Sequence, residues 1–268
     1  MMMQYEVTGS GSPIVLVPGG LTGWLSWETH AKILSENHTV IRVQLISVQL
    51  GYEDKMLPDD YSIKTESNAL KETLDYLGYN YPVDIVGWSF GAFTSLTFAI
   101  DNPNRVRTLT LIEPPALWVL RQDGKLDEQT AKEREFFITL QGDITEDMLA
   151  KFLVHAGFIK EGEDARKIPQ WNKWINFKRS LRNSLTVANY QDDLNKLRNL
   201  NIPVLLVKGT GSSAWLHRVI DTLGKSIPNS RIIELPEGHG PHLVSMNEFL
   251  NEVDKFQKEA NETFDLVK

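Results

Sequence analysis

The sequence predicts an α/β fold, a mostly parallel twisted sheet covered by helices on both faces, with a helical cap inserted into it. Three observations carry this reading. Short apolar, β-branched runs alternate with helical patterns along the chain. One of these runs, Val83 to Val86, leads into Gly87-Trp88-Ser89-Phe90-Gly91 and then at once into an apolar helical segment. The stretch between Ile112 and Ile202 has a separate texture, helical and dense in aromatic residues.

In chain order, a short first segment and the turn Gly9-Ser10-Gly11-Ser12-Pro13 lead into a strand over Ile14 to Val17. A glycine-rich loop follows, then a helix near Ser26 to Ser35 and a strand from Thr39 to Leu45. A loop containing Gly51 and Pro58 precedes a helix from about Ser62 to Leu77. The strand at Val83 comes next, and its following helix runs to about Asp101. Arg107 to Ile112 is a strand closed by Glu113-Pro114-Pro115. Ile202 to Val207 and Arg231 to Leu235 read as the last two strands, with a helix between them and a final helix from about Asn247 to Ala260.

The insertion contains charge-rich turns, among them Arg121-Gln122-Asp123-Gly124-Lys125, and aromatic residues such as Phe136, Phe137, Phe152, Phe158 and Trp174. A structureless loop of that length is improbable in a compact domain. The division expected is a core of residues 1–115 and 192–268 and a helical cap of residues 116–191. Its aromatics are expected mostly to pack the cap on the core, with one or two lining a substrate cavity.

With 268 residues, 41% of them apolar and 24% charged, the chain is long enough to bury a large core. A net charge of −7 argues against nucleic acid as the main partner. There is no cysteine, which excludes disulfides and thiolate metal sites. The opening residues show no basic region followed by an apolar stretch, so no signal peptide is expected. No apolar run approaches the ~18 residues of a membrane span. The expectation is a cytoplasmic enzyme, monomeric or homodimeric, that acts on a small molecule without a metal or organic cofactor.

A strand that runs through G-x-S-x-G into a helix is the layout of a nucleophile elbow, which lifts the serine above the sheet edge. The sharp turn needs small residues on either side, here Gly87 and Gly91. Serine attacks only when a base takes its proton, so a histidine is required. His239, in the loop directly after the last strand, is placed to reach Ser89. His30, His38 and His217 read as packing or surface residues, His242 as structural, and His155 as a cap residue that could touch substrate.

The supporting acid would ordinarily follow the strand Pro203 to Val207. That loop, Lys208 to Trp215, contains no carboxylate, and Asp221 falls within a helix. Glu113, at the end of the strand after the elbow helix, should emerge on the same sheet edge, and the order Ser89, Glu113, His239 suits a triad. The competing reading makes Glu113-Pro114-Pro115 a structural turn, with Ser212 helping by hydrogen bonding. The oxyanion donors expected are the N–H of Phe90 and that of Gly20, with Leu21 next, from the loop Pro18 to Gly23.

Together the elbow, the glycine loop, the Gly238-His239 loop and the helical insertion resemble the α/β-hydrolase superfamily over nearly the whole chain. Glu113 after its strand, and Val17-Pro18-Gly19-Gly20-Leu21, resemble the layout of zearalenone-type lactone hydrolases. The resemblance implies a serine hydrolase acting on an ester or lactone through an acyl-enzyme, with cleavage of a carbon–carbon or amide bond as the alternative. A non-catalytic ligand binder of the same fold is the reading from another class. Trp24, Trp88, Trp118 and Trp174 are expected near a hydrophobic substrate, against the reading that they are ordinary core. The basic stretch from Lys167 to Arg182 reads as a solvated helix face.

Overall fold

The computed structural model describes residues 1–121 and 125–265, with side chains through 262. Most of the turn expected at Arg121 to Lys125 therefore lies outside the described residues. The strands are β1 (Gln4–Thr8), β2 (Ser12–Val17), β3 (His38–Gln44), β4 (Val83–Trp88), β5 (Val106–Ile112), β6 (Val204–Gly209) and β7 (Ser230–Leu235). They form one sheet in the order β1-β3-β2-β4-β5-β6-β7. Only β1, on the edge, runs antiparallel to its neighbour.

Successive side chains of a strand point to opposite faces, so a parallel sheet covered on both sides has two apolar faces. In β2, Val15 and Val17 join one buried cluster while Ile14 and Leu16 join the other. All six residues of β4 are buried. Its one charge, Asp84, is held by the Arg107 guanidinium and by Thr108 Oγ1 at 2.7 Å.

The helices are α1 (Glu28–Leu34), α2 (Ile46–Tyr52), α3 (Ile63–Tyr76) and α4 (Phe90–Asp101), then α5 (Glu128–Thr139), α6 (Glu146–His155), α7 (Trp171–Trp174), α8 (Ser184–Asn189) and α9 (Leu194–Arg198). After β6 come α10 (Ala214–Ser226), α11 (Pro241–Val244) and α12 (Met246–Asp265). Ala31 of α1 and Phe249, Val253 and Phe256 of α12 cover one sheet face. Leu70 of α3, Phe93 and Leu96 of α4 and Leu216 and Val219 of α10 cover the other. No helix among the described residues is long and apolar enough to cross a membrane.

The structure corrects the sequence reading at two elements. The region around Gly51, expected as loop, begins with the helix α2. A glycine lowers helix propensity, but here tertiary packing decides. A Cβ on Gly51 would lie 2.7 Å from the Ser180 backbone nitrogen, so the glycine permits close approach to the 3-10 segment Ile175–Asn183. The last helix also extends past Ala260 to Asp265.

Between β5 and β6 the chain forms helices α5 to α9. Arg134 Nε donates to Ala188 O at 3.0 Å, tying α5 to α8. Ser213 Oγ and Trp215 Nε1 both donate to His155 O, at 2.7 and 3.4 Å, tying the end of α6 to the start of α10.

Candidate active site

The turn from β4 into α4 places Ser89 at φ +52° and ψ −123°, a backbone region that side chains rarely adopt. The conformation is held by Ser89 N, which donates to Ile112 O at 2.8 Å on the neighbouring strand. The flanking glycines are steric requirements. A Cβ on Gly87 would lie 2.6 Å from Ser95 Oγ, and one on Gly91 would run into the carbonyl oxygens of Val17 and Pro18.

Sheet order brings the remaining groups to this edge. β5 lies between β4 and β6, so Glu113, one residue past β5, stands between the Ser89 turn and the loop leaving β6. Glu113 also has a positive φ, +46°, and its N–H donates to Val207 O at 3.2 Å. Its side chain is fully buried. Gly209 N donates to Oε1 and Ser212 Oγ to Oε2, each at 2.8 Å. A buried carboxylate needs such donors to offset lost hydration. Ser212 thus occupies the loop where an acid would ordinarily be sought, and it donates to the acid supplied by the adjacent strand.

His239 completes the line. Its Nδ1 is 2.7 Å from Glu113 Oε2 and its Nε2 2.8 Å from Ser89 Oγ. An ionised carboxylate only accepts, so Nδ1–H donates to Glu113, and Nε2 is left to accept from the Ser89 hydroxyl. The backbone of His239 is fixed on both sides. Its N–H donates to Gly157 O of the insertion at 3.3 Å, and its carbonyl accepts from Trp88 Nε1 at 2.7 Å.

Ser89, His239, Gly20 and Phe90 share the wall of a narrow cavity of about 30 Å³. Phe137, Phe152 and Ala156 of the insertion close it from above, with Trp215 and the amide of Asn183. Phe90 is the first residue of α4, where a helix leaves its N–H groups without intrahelical partners. Leu21 lines a different space, a groove of about 400 Å³ between insertion and core. Its wall also carries Trp88, Phe158, Trp174 and, in common with the cavity, His239.

The four tryptophans expected at a substrate do not line the Ser89 cavity. Trp88 turns away from it, packing on Gly19 and His242 and holding the His239 carbonyl. Trp118 is buried against Tyr190. Trp24 is held by its backbone N–H on Gln44 Oε1 at 3.1 Å and lines neither space. Trp174 borders the groove. Trp88 and Trp174 thus border the groove that His239 shares, while Trp24 and Trp118 line neither space.

The other histidines take structural places. His155 stacks on Phe136 at 3.7 Å and faces Glu133, away from Ser89. His217 Nε2 contacts Gly209 O at 2.8 Å. His30 and His242 are buried together with Trp27. Burial pushes the His30 imidazole below its ordinary range, and it pushes His242 well below, with the charges of His30 and His239 adding to the effect. Sequence reasoning missed Asn183 and Trp215 on the cavity wall. Nothing local in the sequence marks either: Asn183 reaches the site through packing of the insertion, and Trp215 from the first turn of α10 after β6.

The sequence profile described as the alpha/beta hydrolase fold matches residues 12–245, and the chain belongs to this family. Over 107 residues it is 37% identical to a 2-hydroxy-6-oxo-2,4-heptadienoate hydrolase of Pseudomonas putida, a stretch that is 39% of this chain and 38% of that enzyme. It is 24% identical to a pimeloyl-[acyl-carrier protein] methyl ester esterase of Nitrosomonas europaea, covering 92% of this chain and 96% of that one. Among solved structures, an esterase from Exiguobacterium antarcticum superposes with a TM-score of 0.76 at 20% identity, covering 96% of this chain and 95% of that one.

Proposed function

We propose that the chain is a serine hydrolase cleaving a carboxylic ester or lactone of a small hydrophobic substrate, with residues 116–191 acting as a cap. The observation that carries this reading is the hydrogen-bonded line from Glu113 through His239 to Ser89, ending at a strained elbow. Relatives that are themselves hydrolases support the reaction type.

In the proposed mechanism, Ser89 Oγ attacks the carbonyl carbon while His239 Nε2 takes its proton. Glu113 steadies the imidazolium through Nδ1–H. The oxyanion sits against the N–H groups of Phe90 and Gly20, with Leu21 as the alternative donor in that loop. As the carbon–oxygen bond of the ester breaks, His239 gives its proton to the leaving alkoxide. A water then attacks the acyl-enzyme with His239 again as base, and the Ser89 oxygen recovers its proton.

A second reading, hydrolysis of an oxo-dienoate acid by the same three residues, draws on the 37% identical stretch shared with the heptadienoate hydrolase. Recognition of that acid calls for a positive group at the nucleophile; the residues lining the Ser89 cavity include no lysine or arginine, and Lys173 lies on the adjoining groove wall with Glu237. The ester or lactone reading is therefore preferred.

The test is turnover of nitrophenyl acetate by the purified protein and by Ser89→Ala. The expected loss in kcat is about a millionfold, the scale seen when a triad nucleophile is removed. Undiminished turnover in Ser89→Ala, or none in the parent protein, contradicts the proposal.

A further inference from the structure

We propose that Asn183, carried by the insertion, is a third donor to the oxyanion, acting beside the N–H groups of Phe90 and Gly20. This rests on the serine-hydrolase reading and adds a catalytic residue to it.

The placement starts at Gly20. A Cβ there would lie 2.9 Å from Asn183 Nδ2 and 3.1 Å from Phe90 Cβ. The space that any other residue's side chain would enter is therefore bounded by the Asn183 amide and by Phe90. Ser89, Gly20, Phe90 and Asn183 all line the same cavity. The amide nitrogen thus stands next to the two backbone groups assigned to the oxyanion. Few side chains on this wall compete for the role. Trp215 gives its indole N–H to His155 O, and Phe137, Phe152 and Val187 are apolar. Ser184, the next residue, also lines the cavity, but it is Asn183 that meets Gly20.

A donor lowers the barrier only if it is held in place before charge develops. Asn183 ends the 3-10 segment Ile175–Asn183, and two bonds fasten that end to the core. Ser180 Oγ donates to Leu21 O at 3.3 Å, one residue past Gly20. Asn183 Nδ2 donates to Ser47 Oγ at 3.2 Å, and Ser47 is fixed in turn by its N–H on Glu66 Oε1 at 2.8 Å. The nitrogen of a primary amide carries two donors. One restrains Asn183 against Ser47, and the other is left for a ligand. The residue is buried, so that donor acts where a hydrogen bond is stronger than in water.

In the step concerned, Ser89 Oγ bonds to the carbonyl carbon and the carbonyl π pair moves onto its oxygen. Three N–H groups hold that oxyanion until the pair returns and the alkoxide leaves. Asn183 neither gains nor loses a proton.

Turnover of nitrophenyl acetate by Asn183→Ala and Asn183→Asp tests this. In Asn183→Ala, kcat should fall by about a hundredfold to a thousandfold, the effect of deleting one side-chain oxyanion donor. KM should stay within about threefold, because an interaction made only in the transition state lowers kcat and kcat/KM together. A trifluoromethyl ketone, whose adduct with Ser89 carries the same oxyanion, should lose affinity by a similar factor. If a thermal melt shows that Asn183→Ala does not fold, Asn183→Asp decides. It keeps the size of the side chain, and its carboxylate opposes the oxyanion, so its loss should be at least as large. Undiminished kcat, a loss confined to KM, or ketone affinity equal to the parent's overturns the inference. An asparagine that read a polar group elsewhere on the substrate would give the first of these, since the acetyl group has none. Parent turnover that disappears in Ser89→Ala then leaves the hydrolase reading standing, whereas no turnover by the parent removes both.

Discussion

Two buried glutamates, Glu66 and Glu113, share residue type and degree of burial but differ in the groups that hold them. Glu66, in α3, accepts from the N–H groups of Ile46 and Ser47 at 2.9 and 2.8 Å and from Tyr61 OH at 2.6 Å. Glu113 accepts from Gly209 N, from Ser212 Oγ and from the His239 ring. Both are fully buried and each has three donors. The difference lies in the third donor. A tyrosine hydroxyl fixes Glu66 to its surroundings, and burial raises its pKa above the usual carboxylate range. In the proposed mechanism, an imidazole that also touches Ser89 would let Glu113 steady a change of charge beside it. On the proposed mechanism, what separates the two carboxylates is whether the partner can itself gain a proton during reaction.

Exchanging each carboxylate for its amide sharpens this contrast most. Glu113→Gln keeps the shape but places an amide against His239, so kcat should fall by about ten-thousandfold, as for loss of a triad acid. Glu66→Gln should leave kcat within about threefold while lowering unfolding stability by about 1–3 kcal/mol in a denaturant melt, because a buried donor loses its acceptor. If Glu66→Gln lost as much activity as Glu113→Gln, the contrast would collapse. Ser212→Ala removes one of three donors to Glu113, and kcat should drop by about tenfold, the equivalent of a single hydrogen bond to a charged group.

The smallest effect concerns the buried pair His30 and His242. Both imidazoles are held below the ordinary range, so in the fold they stay neutral where the unfolded chain takes up protons. Stability contributed by their neutral forms is therefore present above about pH 6.5 and lost as pH falls below it. His242→Phe should flatten the fall of the thermal midpoint below that pH, and an unchanged slope would place its origin in other groups.

Much of the fold was legible because parallel strands buried on both faces leave continuous apolar runs, as in Val83 to Val86 and Val204 to Val207. The elbow was legible because its geometry admits only small residues at Gly87 and Gly91. Glu113 was reached by elimination, by the sheet edge its strand leads to and by a family resemblance, since its proximity to His239 depends on strand order rather than local sequence. Which space each tryptophan borders depends on packing in the same way. A large aromatic residue beside a catalytic motif can face the cavity or support the loop behind it, and Trp88 does the second. The helix at Ile46–Tyr52 was hidden by Gly51, whose reason lies in Ser180, far along the chain.

Whether Glu113 acts through His239 on Ser89 is read most directly by the rate at which a fluorophosphonate forms an adduct, located by peptide mass. The predicted result is an adduct on Ser89, formed at similar rates in the parent protein and Glu66→Gln and slower by orders of magnitude in Glu113→Gln. Labelling at another serine, or equal rates in all three proteins, would contradict it.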